Sequence, residues 1–477
     1  MDRKRFFSGF IWKFSERTMS QLVSFIVSIV LARILSPNDY GIVALVNVFI
    51  IIADVFVTSG FSSSLIQKKE ATKTDFSTIF WCSLIFSIVI YSVIFFLAPW
   101  IAKFYRNEQL TLVLRVFALK LPISAFNSIQ QAYVSRSLAF RKIFVSTSIA
   151  TIFSGVMGIV FALLGWGVWA LVIQYIVNAI TETMVLFLQI PWKPRLLFSI
   201  DSAKSLLGFG WKVLATDLLG QFFNQLRSLV IGRFYTAADL AYYNRGQQFP
   251  NILTNNIDAT ISSVLFPVMS KYSDDSDKLK LMVRRSIRTS TYLLMPFMLG
   301  MAVTAKPLII LILTKKWIEA VPFMQCLCIS GAFGSVSNAN MQVIKASGRS
   351  DVLLNLELIK KPIYLVFLIA SIKISVFAVA VSMSIYSITA TLINMFPNKK
   401  IIGYSYREQF SDLLPALALS FLMMIGTFPI QYLNWNPFLM LTVQVVVGAI
   451  IYLGGSVLFK MESFTYLLGL LKSKRKN

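Results

Sequence analysis

Apolar stretches of about 20 residues recur from one end of the chain to the other, each long enough for a helix to cross a hydrocarbon core of roughly 30 Å. The pattern predicts helices near 14–35, 41–66, 76–101, 111–133, 143–164, 167–190 and 206–230. A second series follows near 244–268, 289–313, 321–344, 355–372, 375–396, 410–430 and 437–459. The predicted class is an all-α polytopic membrane protein with about 14 transmembrane helices. The narrowest separation is in "LIASIKISVF", where only Lys373 stands between two spans. Fusing them would place the C-terminus on the opposite side, against the charge of its tail.

Composition supports this class. Of 477 residues 56% are hydrophobic, and the mean hydropathy is +0.70. Only 14% are charged, against roughly 25% in a soluble domain. The opening "MDRKRFFSGFIWKFSER" is basic, but the apolar run behind it, Met19 to Leu35, lacks a small-residue cleavage site and reads as a retained first span. The net charge of +24 would suggest nucleic acid on a soluble protein. Here the basic residues sit in short loops between apolar spans, which points to a membrane and not to nucleic acid. With the N-terminus inside, the inner segments collect about 33 of the 45 basic residues, including "QKKEATK", "RSLAFRK", "RRSIR" and "KSKRKN". Both termini are therefore expected in the cytoplasm.

The chain also repeats itself. "LARILSPNDYG" at 31–41 and "IGRFYTAADLA" at 231–241 follow the first and seventh spans, so six crossings separate them and both face the same side. At the same offset of 200, Gln21 matches Gln221, Ser24 matches Asn224, Ser28 matches Ser228, Ser36 matches Thr236 and Asp39 matches Asp239. Trp12-Lys13 and Trp211-Lys212 match at 199, and "NSIQQ" and "NANMQ" share an Asn with a Gln four residues on at 211. These matches imply two parallel six-helix lobes, 1–200 and 201–400, around a central cavity, with two more helices and a basic tail over 401–477. The alternative is a duplicated scaffold with no transport role.

Ionisable groups in a span are costly and usually face a partner or a water-filled cavity. Asp217, Gln221, Asn224 and Ser228 lie at i, i+4, i+7 and i+11, one face of the seventh span, with Arg227 beside them. Arg17, Gln21, Ser24 and Ser28 repeat the stripe more mildly in the first. Lys120 and Arg115 place positive charge in the fourth span, while Asp54 and Glu182 place negative charge in the second and sixth. Snorkelling of the cations and helix–helix bonds for the acids are the alternatives to cavity lining. Arg33 and Arg233 stand at helix C-terminal ends, and "SPNDYG" has the form of a helix start. Capping with an Arg-to-Asp tie, or a border that draws in an anionic headgroup, both remain open.

Several chemistries are excluded. No GxxxxGK[ST] is present, so there is no P-loop for ATP, and "GWG" and "GFG" are not dinucleotide fingerprints. With no histidine, His-based metal sites and the usual triads are ruled out, and no cofactor is expected. Cys82, Cys326 and Cys328 read as small core hydrophobes. The acidic cluster "SDDSD" at 273–277 reads as a solvated linker.

"VLARILSPNDYGIVAL", "LIQKKEATKTDFSTIFW", "GWGVWALVIQ", "LVIGRFYTAADLAYYNRGQQFP" and "ISSVLFPVMSKYSDD" resemble the polysaccharide flippase branch of the multidrug/oligosaccharidyl-lipid/polysaccharide exporter superfamily, of the lipopolysaccharide biosynthesis and colanic-acid exporter type. The resemblance runs to about residue 400, and the last two helices carry little of it. It implies alternating access in a bacterial inner membrane. The implied cargo is an undecaprenyl-pyrophosphate-linked oligosaccharide repeat unit, moved from the cytoplasmic to the periplasmic leaflet for surface polysaccharide synthesis. It also implies no enzymatic step, with polysaccharide polymerase and export machinery as further partners. On this resemblance Arg33, Lys120, Arg227 and Arg233 are the candidates for pyrophosphate or anionic sugars, and Gln21, Gln221 and Asn224 for sugar hydroxyls. A cation-coupled drug exporter of the same superfamily would instead use Asp54 or Asp217 as its proton or sodium site. A glycan polymerase or ligase would need a large outer loop, and no outer segment exceeds about 15 residues on this span map.

Overall fold

The computed structural model describes residues 3–59, 61–68, 71–433 and 435–474. Among them every regular element is helical, and ten helices are long and apolar enough to cross a membrane. The chain is an all-α polytopic membrane protein. Each predicted span falls on a helix or on two consecutive helices, and the chain does turn at Lys373, with separate helices ending at Ile372 and starting at Val376. Large apolar side chains such as Phe96, Trp100, Leu188, Val366 and Leu458 point outward, as lipid-facing surfaces require.

Two compact units form, Met1–Ala241 and Tyr242–Asn477. The first contains α1 (Arg3–Ile34), α2 (Pro37–Thr58), α3 (Phe61–Gln67), α4 (Lys73–Tyr105), α5 (Gln109–Phe117), α6 (Lys120–Arg136), α7 (Phe140–Leu163), α8 (Val168–Gln189) and α9 (Ile200–Phe234). Here α1 packs on α7, α7 on α8, and α6 on α2, α3, α4 and α8, while α9 lies against α2, α3 and α4. Leu65, Phe76, Ile79, Phe80, Ile129, Leu186 and Trp192 form an apolar core at one end. At that end Arg136 donates to the carbonyls of Leu65 (2.7 Å) and Ile66 (3.2 Å), closing the C-terminus of α3.

The repeated motif is a helix start in both copies. Ser36 caps α2: its hydroxyl accepts from the Asp39 amide (3.2 Å), and Asp39 Oδ2 accepts from the Ser36 amide (3.0 Å) and hydroxyl (2.6 Å). Thr236 and Asp239 make the same three bonds at 3.1, 3.0 and 2.7 Å at the start of α10 (Ala237–Ser270). The two copies also touch, because Gly41 lies so close to Ala237 that a Cβ there would stand 1.7 Å from the Ala237 carbonyl oxygen.

The second unit continues through most of α10, then α11 (Ser276–Leu313), α12 (Ala320–Ala332), α13 (Gly334–Ala346), α14 (Ser350–Ile372), α15 (Val376–Met395), α16 (Asn398–Ile402), α17 (Tyr406–Thr427), α18 (Pro437–Leu458) and α19 (Glu462–Lys474). Its order mirrors the first, including the broken pair α12–α13 where the first unit has α5–α6. The helix-ending turns after α6 and α13 correspond bond for bond. Ser137, Leu138 and Ala139 donate to Tyr133, Ser135 and Val134, and Ser347, Gly348 and Arg349 donate to Val343, Lys345 and Ile344. Leu138 and Gly348 both take the left-handed conformation. The two added helices are fastened to α11. Asp412 of α17, its side chain fully buried, receives Arg284 Nε (2.8 Å), Arg288 Nε (2.7 Å) and Tyr404 OH (2.7 Å), and Tyr292 OH reaches Ser456 Oγ of α18 (2.8 Å).

Candidate functional site

The sequence of α6 places Lys120, Ser124, Asn127, Ser128, Gln131 and Ser135 along one helical face, while Leu121, Ala125, Ile129, Ala132 and Val134 are buried. A polar face in a membrane helix needs polar company, and α2, α3 and α8 supply it. The result is a cavity of about 470 Å³ inside the first unit, lined by that face together with Asp54, Thr58, Ser62, Asn178, Glu182 and Thr183.

Three charges meet there. Lys120 is the cation whose charge acts on Asp54, and the Ser124 hydroxyl bonds to the same carboxylate. Asp54 Oδ1 and Asn127 Oδ1 are buried without a hydrogen-bond partner in the structure. Glu182 accepts from Gln131 Nε2 (3.1 Å) and the Thr147 hydroxyl (3.3 Å), and Asn178 Nδ2 donates to Ser154 (3.2 Å). Amides and hydroxyls that both donate and accept suit polyols, and a lysine suits an anion. The volume falls in the range of small-molecule sites, about 300–1,000 Å³.

Of the residues singled out in the sequence, Lys120, Asp54 and Glu182 come together in this cavity. The others do not line it. Arg33 is exposed in the last turn of α1, and Arg233 ends α9 with its guanidinium 4.7 Å from the ring centre of Phe104. Gln21, Asn224 and Asp217 are exposed, and Gln221 and Arg227 are half-buried on α9. Arg115 stacks 4.2 Å over Phe95 and donates to its carbonyl (3.1 Å). Sequence reasoning did not name Ser124, Asn127, Gln131 or Asn178 for the site. Its one signal was the Asn–Gln pair, which marked the repeat.

That pair recurs in the second unit with its surroundings. Asp258 and Ser262 of α10 match Asp54 and Thr58 at an offset of 204, and Ser335, Asn338 and Gln342 of α13 match Ser124, Asn127 and Gln131 at 211. Gln342 Nε2 donates to Asn338 Oδ1 (2.8 Å) and Ser262 Oγ (3.0 Å), and Asn338 Nδ2 donates to the Asp258 carbonyl (3.0 Å).

The profile of the polysaccharide biosynthesis protein family matches residues 30–322. The chain is 24% identical to the lipopolysaccharide biosynthesis protein WzxC of Escherichia coli K12 over 430 residues, covering 88% of this chain and 87% of the relative. It is 24% identical over 342 residues to the succinoglycan biosynthesis transport protein ExoT of Rhizobium meliloti, covering 72% and 69%. To the teichuronic acid biosynthesis protein TuaB of Bacillus subtilis it is 22% identical over 461 residues, covering 94% and 95%. Among solved structures it shares the fold of the lipid II flippase MurJ in an inward closed conformation, with a TM-score of 0.77, 16% identity and coverage of 94% and 98%. An inward-facing multidrug resistance MATE transporter follows at a TM-score of 0.59 and 16% identity, covering 81% of this chain and 94% of that one.

Proposed function

The chain belongs to the polysaccharide biosynthesis protein family, and on that premise we propose that it flips lipid-linked oligosaccharide repeat units across the membrane for surface polysaccharide synthesis. The proposed route is alternating access, from the cytoplasmic to the periplasmic leaflet of a bacterial inner membrane, with both termini cytoplasmic. The observation that carries this reading is the polar cavity of the first unit. Within a membrane helix bundle it offers a lysine, two carboxylates and a row of amides and hydroxyls. The names of the relatives support it, since they describe lipopolysaccharide, succinoglycan and teichuronic acid biosynthesis, and the fold-sharing MurJ is a lipid II flippase. These relatives are transport and biosynthesis proteins, which favours transport over an enzymatic step.

In this proposal Lys120 meets the anionic part of the cargo, and Asn127, Gln131 and Asn178 bond its sugar hydroxyls. Arg33, Arg227 and Arg233 serve the pyrophosphate or anionic sugars as the cargo enters or leaves, and Gln21, Gln221 and Asn224 hydrogen-bond sugar hydroxyls. The cargo carrier is a polyprenyl pyrophosphate, and a polysaccharide polymerase and the export machinery take over after release.

The test is the leaflet location of lipid-linked repeat units in cells lacking the protein, complemented with wild type or with Lys120→Ala. Accumulation in the cytoplasmic leaflet in both the deletion and the Lys120→Ala strain, at normal protein abundance, is the expected result. Normal periplasmic delivery in the deletion would refute flipping. It would also bring forward cation-coupled drug export, read as drug sensitivity without a glycan defect.

A further inference from the structure

Near its start α11 places Leu281, Arg284, Arg285 and Arg288 at i, i+3, i+4 and i+7 on one face, while Leu279, Val283 and Ile287 on the opposite face are buried in the second unit. When α4 and α11 are aligned on their capping residues, Thr72 and Asp275, Trp81, Cys82 and Ile85 stand where α11 has the three arginines. These cations are therefore an addition of the second unit, not part of the duplicated frame.

The scaffold uses only part of this charge. Arg284 gives Nε and Nη2 to Asp412 (2.8 and 3.0 Å), and its Nη1 has no partner among the described residues. Arg288 shares the same carboxylate through Nη2 (2.6 Å) and also reaches Glu462. Arg285 is exposed and meets no carboxylate among the described residues; its guanidinium lies 4.1 Å from the ring centre of Tyr466. Stacking on a ring leaves the N–H edge of an arginine open to an anion. Beside it is a cavity of about 610 Å³, walled by the three arginines on α11 and by Ser463 and Tyr466 on α19. Lys280, also in the wall, is balanced by Glu408 (2.8 Å), and the two acids there, Asp277 and Glu462, are exposed to screening by water. Phe464 and Leu467 of α19 pack on the apolar core that includes Tyr292, Leu419 and Tyr452, which holds this wall in place.

We infer that this cavity binds the phosphodiester headgroup of an anionic phospholipid, with Arg285 as its free cation and Arg284 Nη1 beside it. Guanidinium groups suit phosphate oxygens through charge-assisted hydrogen bonds. Leu281 lines the same cavity and is 65% exposed, which gives the glycerol and upper acyl chain an apolar surface. The position agrees, because basic pockets between helices at the end of a membrane span are where anionic headgroups are held. A bound lipid bridges α11 and α19 and keeps the last helix docked. The site lies within the second unit and does not depend on the flippase reading; only its leaflet follows from the orientation proposed above.

The experiment uses the full-length protein in phosphatidylcholine nanodiscs carrying a trace of photoactivatable phosphatidylglycerol, with labelled peptides mapped by mass spectrometry. Wild type is compared with Arg285→Gln and with Lys278→Gln, an exposed cation of α11 that does not line the cavity. The expected labels fall on the start of α11 and on α19, and unlabelled phosphatidylglycerol removes them while phosphatidylcholine and millimolar inorganic phosphate do not. Labelling should drop about fivefold in Arg285→Gln, the worth of one cation beside an anionic headgroup, and stay unchanged in Lys278→Gln. Both side chains are exposed, so equal melting of the three proteins in phosphatidylcholine alone checks that the fold is intact. Undiminished labelling in Arg285→Gln, or an equal drop in Lys278→Gln, would mean diffuse surface charge and overturn the site. Displacement by inorganic phosphate as effective as by phosphatidylglycerol would make the ligand a free phosphate ion and overturn the lipid.

Discussion

Replacing Gly41 with alanine should destabilise the protein, while the same replacement at Gly220 should not. At Gly41 the new methyl carbon would lie 1.7 Å from the Ala237 carbonyl oxygen and 2.2 Å from its carbonyl carbon, about half the 3.4 Å at which ordinary contact begins. Both partners are fixed to backbone, so no rotamer relieves the clash and α2 must move away from the start of α10. Overpacking costs about 1–3 kcal/mol, sometimes more, and a backbone clash belongs at the upper end. Alanine returns roughly 1 kcal/mol of helix propensity, leaving a net loss of about 2 kcal/mol or more. A Cβ on Gly220, in α9, meets nothing within 4 Å, so Gly220→Ala should gain up to about 1 kcal/mol. Unfolding of the two variants and wild type in one detergent, followed by heat or denaturant, decides the matter. A Gly41→Ala variant as stable as wild type would show that the contact between the two copies of the motif is too loose to matter.

Three further outcomes follow from the same geometry. Asp412→Ala leaves Arg284 and Arg288 without their shared buried carboxylate; loss of a buried partner costs about 3–5 kcal/mol, and screening of guanidinium groups about a third exposed brings the expectation to about 3. A loss below about 1 kcal/mol in denaturant unfolding would mean that water satisfies the two arginines instead. Ser36→Ala and Thr236→Ala should each cost about 1 kcal/mol, because the two caps make the same three bonds, and a clear inequality in melting would show that the copies are not equivalent. Arg227→Ala should abolish export with membrane insertion intact, measured as surface polysaccharide against protein abundance, and normal export removes Arg227 from the cargo path.

Helices were legible because apolar length is a local property, and even the turn at Lys373 was visible as one charge between two runs. The duplication was legible because capping uses residues three positions apart, as in Ser36–Asp39 and Thr236–Asp239. The cavity was not. Within α6 the spacing of Lys120, Ser124, Asn127 and Gln131 marks one face, but which faces of α2 and α8 it meets is decided by packing between segments more than 40 residues apart. The stripe on α9 illustrates the converse. Asp217, Gln221 and Asn224 share a face by periodicity, yet Asp217 and Asn224 are exposed and none of the three reaches the cavity of the first unit.

Comparing the two halves separates what the fold demands from what the cargo demands. Where both copies must do the same mechanical work, they keep the same chemistry: the capping Ser or Thr with its Asp, the left-handed residue after α6 and α13, and the Asn–Gln pair facing α2 or α10. Inside the same frame, Lys120 gives way to Gly331 and Glu182 to Ala390, while an aspartate stays in both. Both charges are half-buried at the cavity, where Glu182 also ties α8 to α6 and α7 through Gln131 and Thr147. A lipid-linked oligosaccharide is itself unsymmetrical, with an anionic end and a neutral, hydroxyl-rich one. On the proposed function, a carrier built from two like halves would break its own symmetry where such a cargo is held, and Lys120 and Glu182 are two cavity-lining positions at which the halves differ.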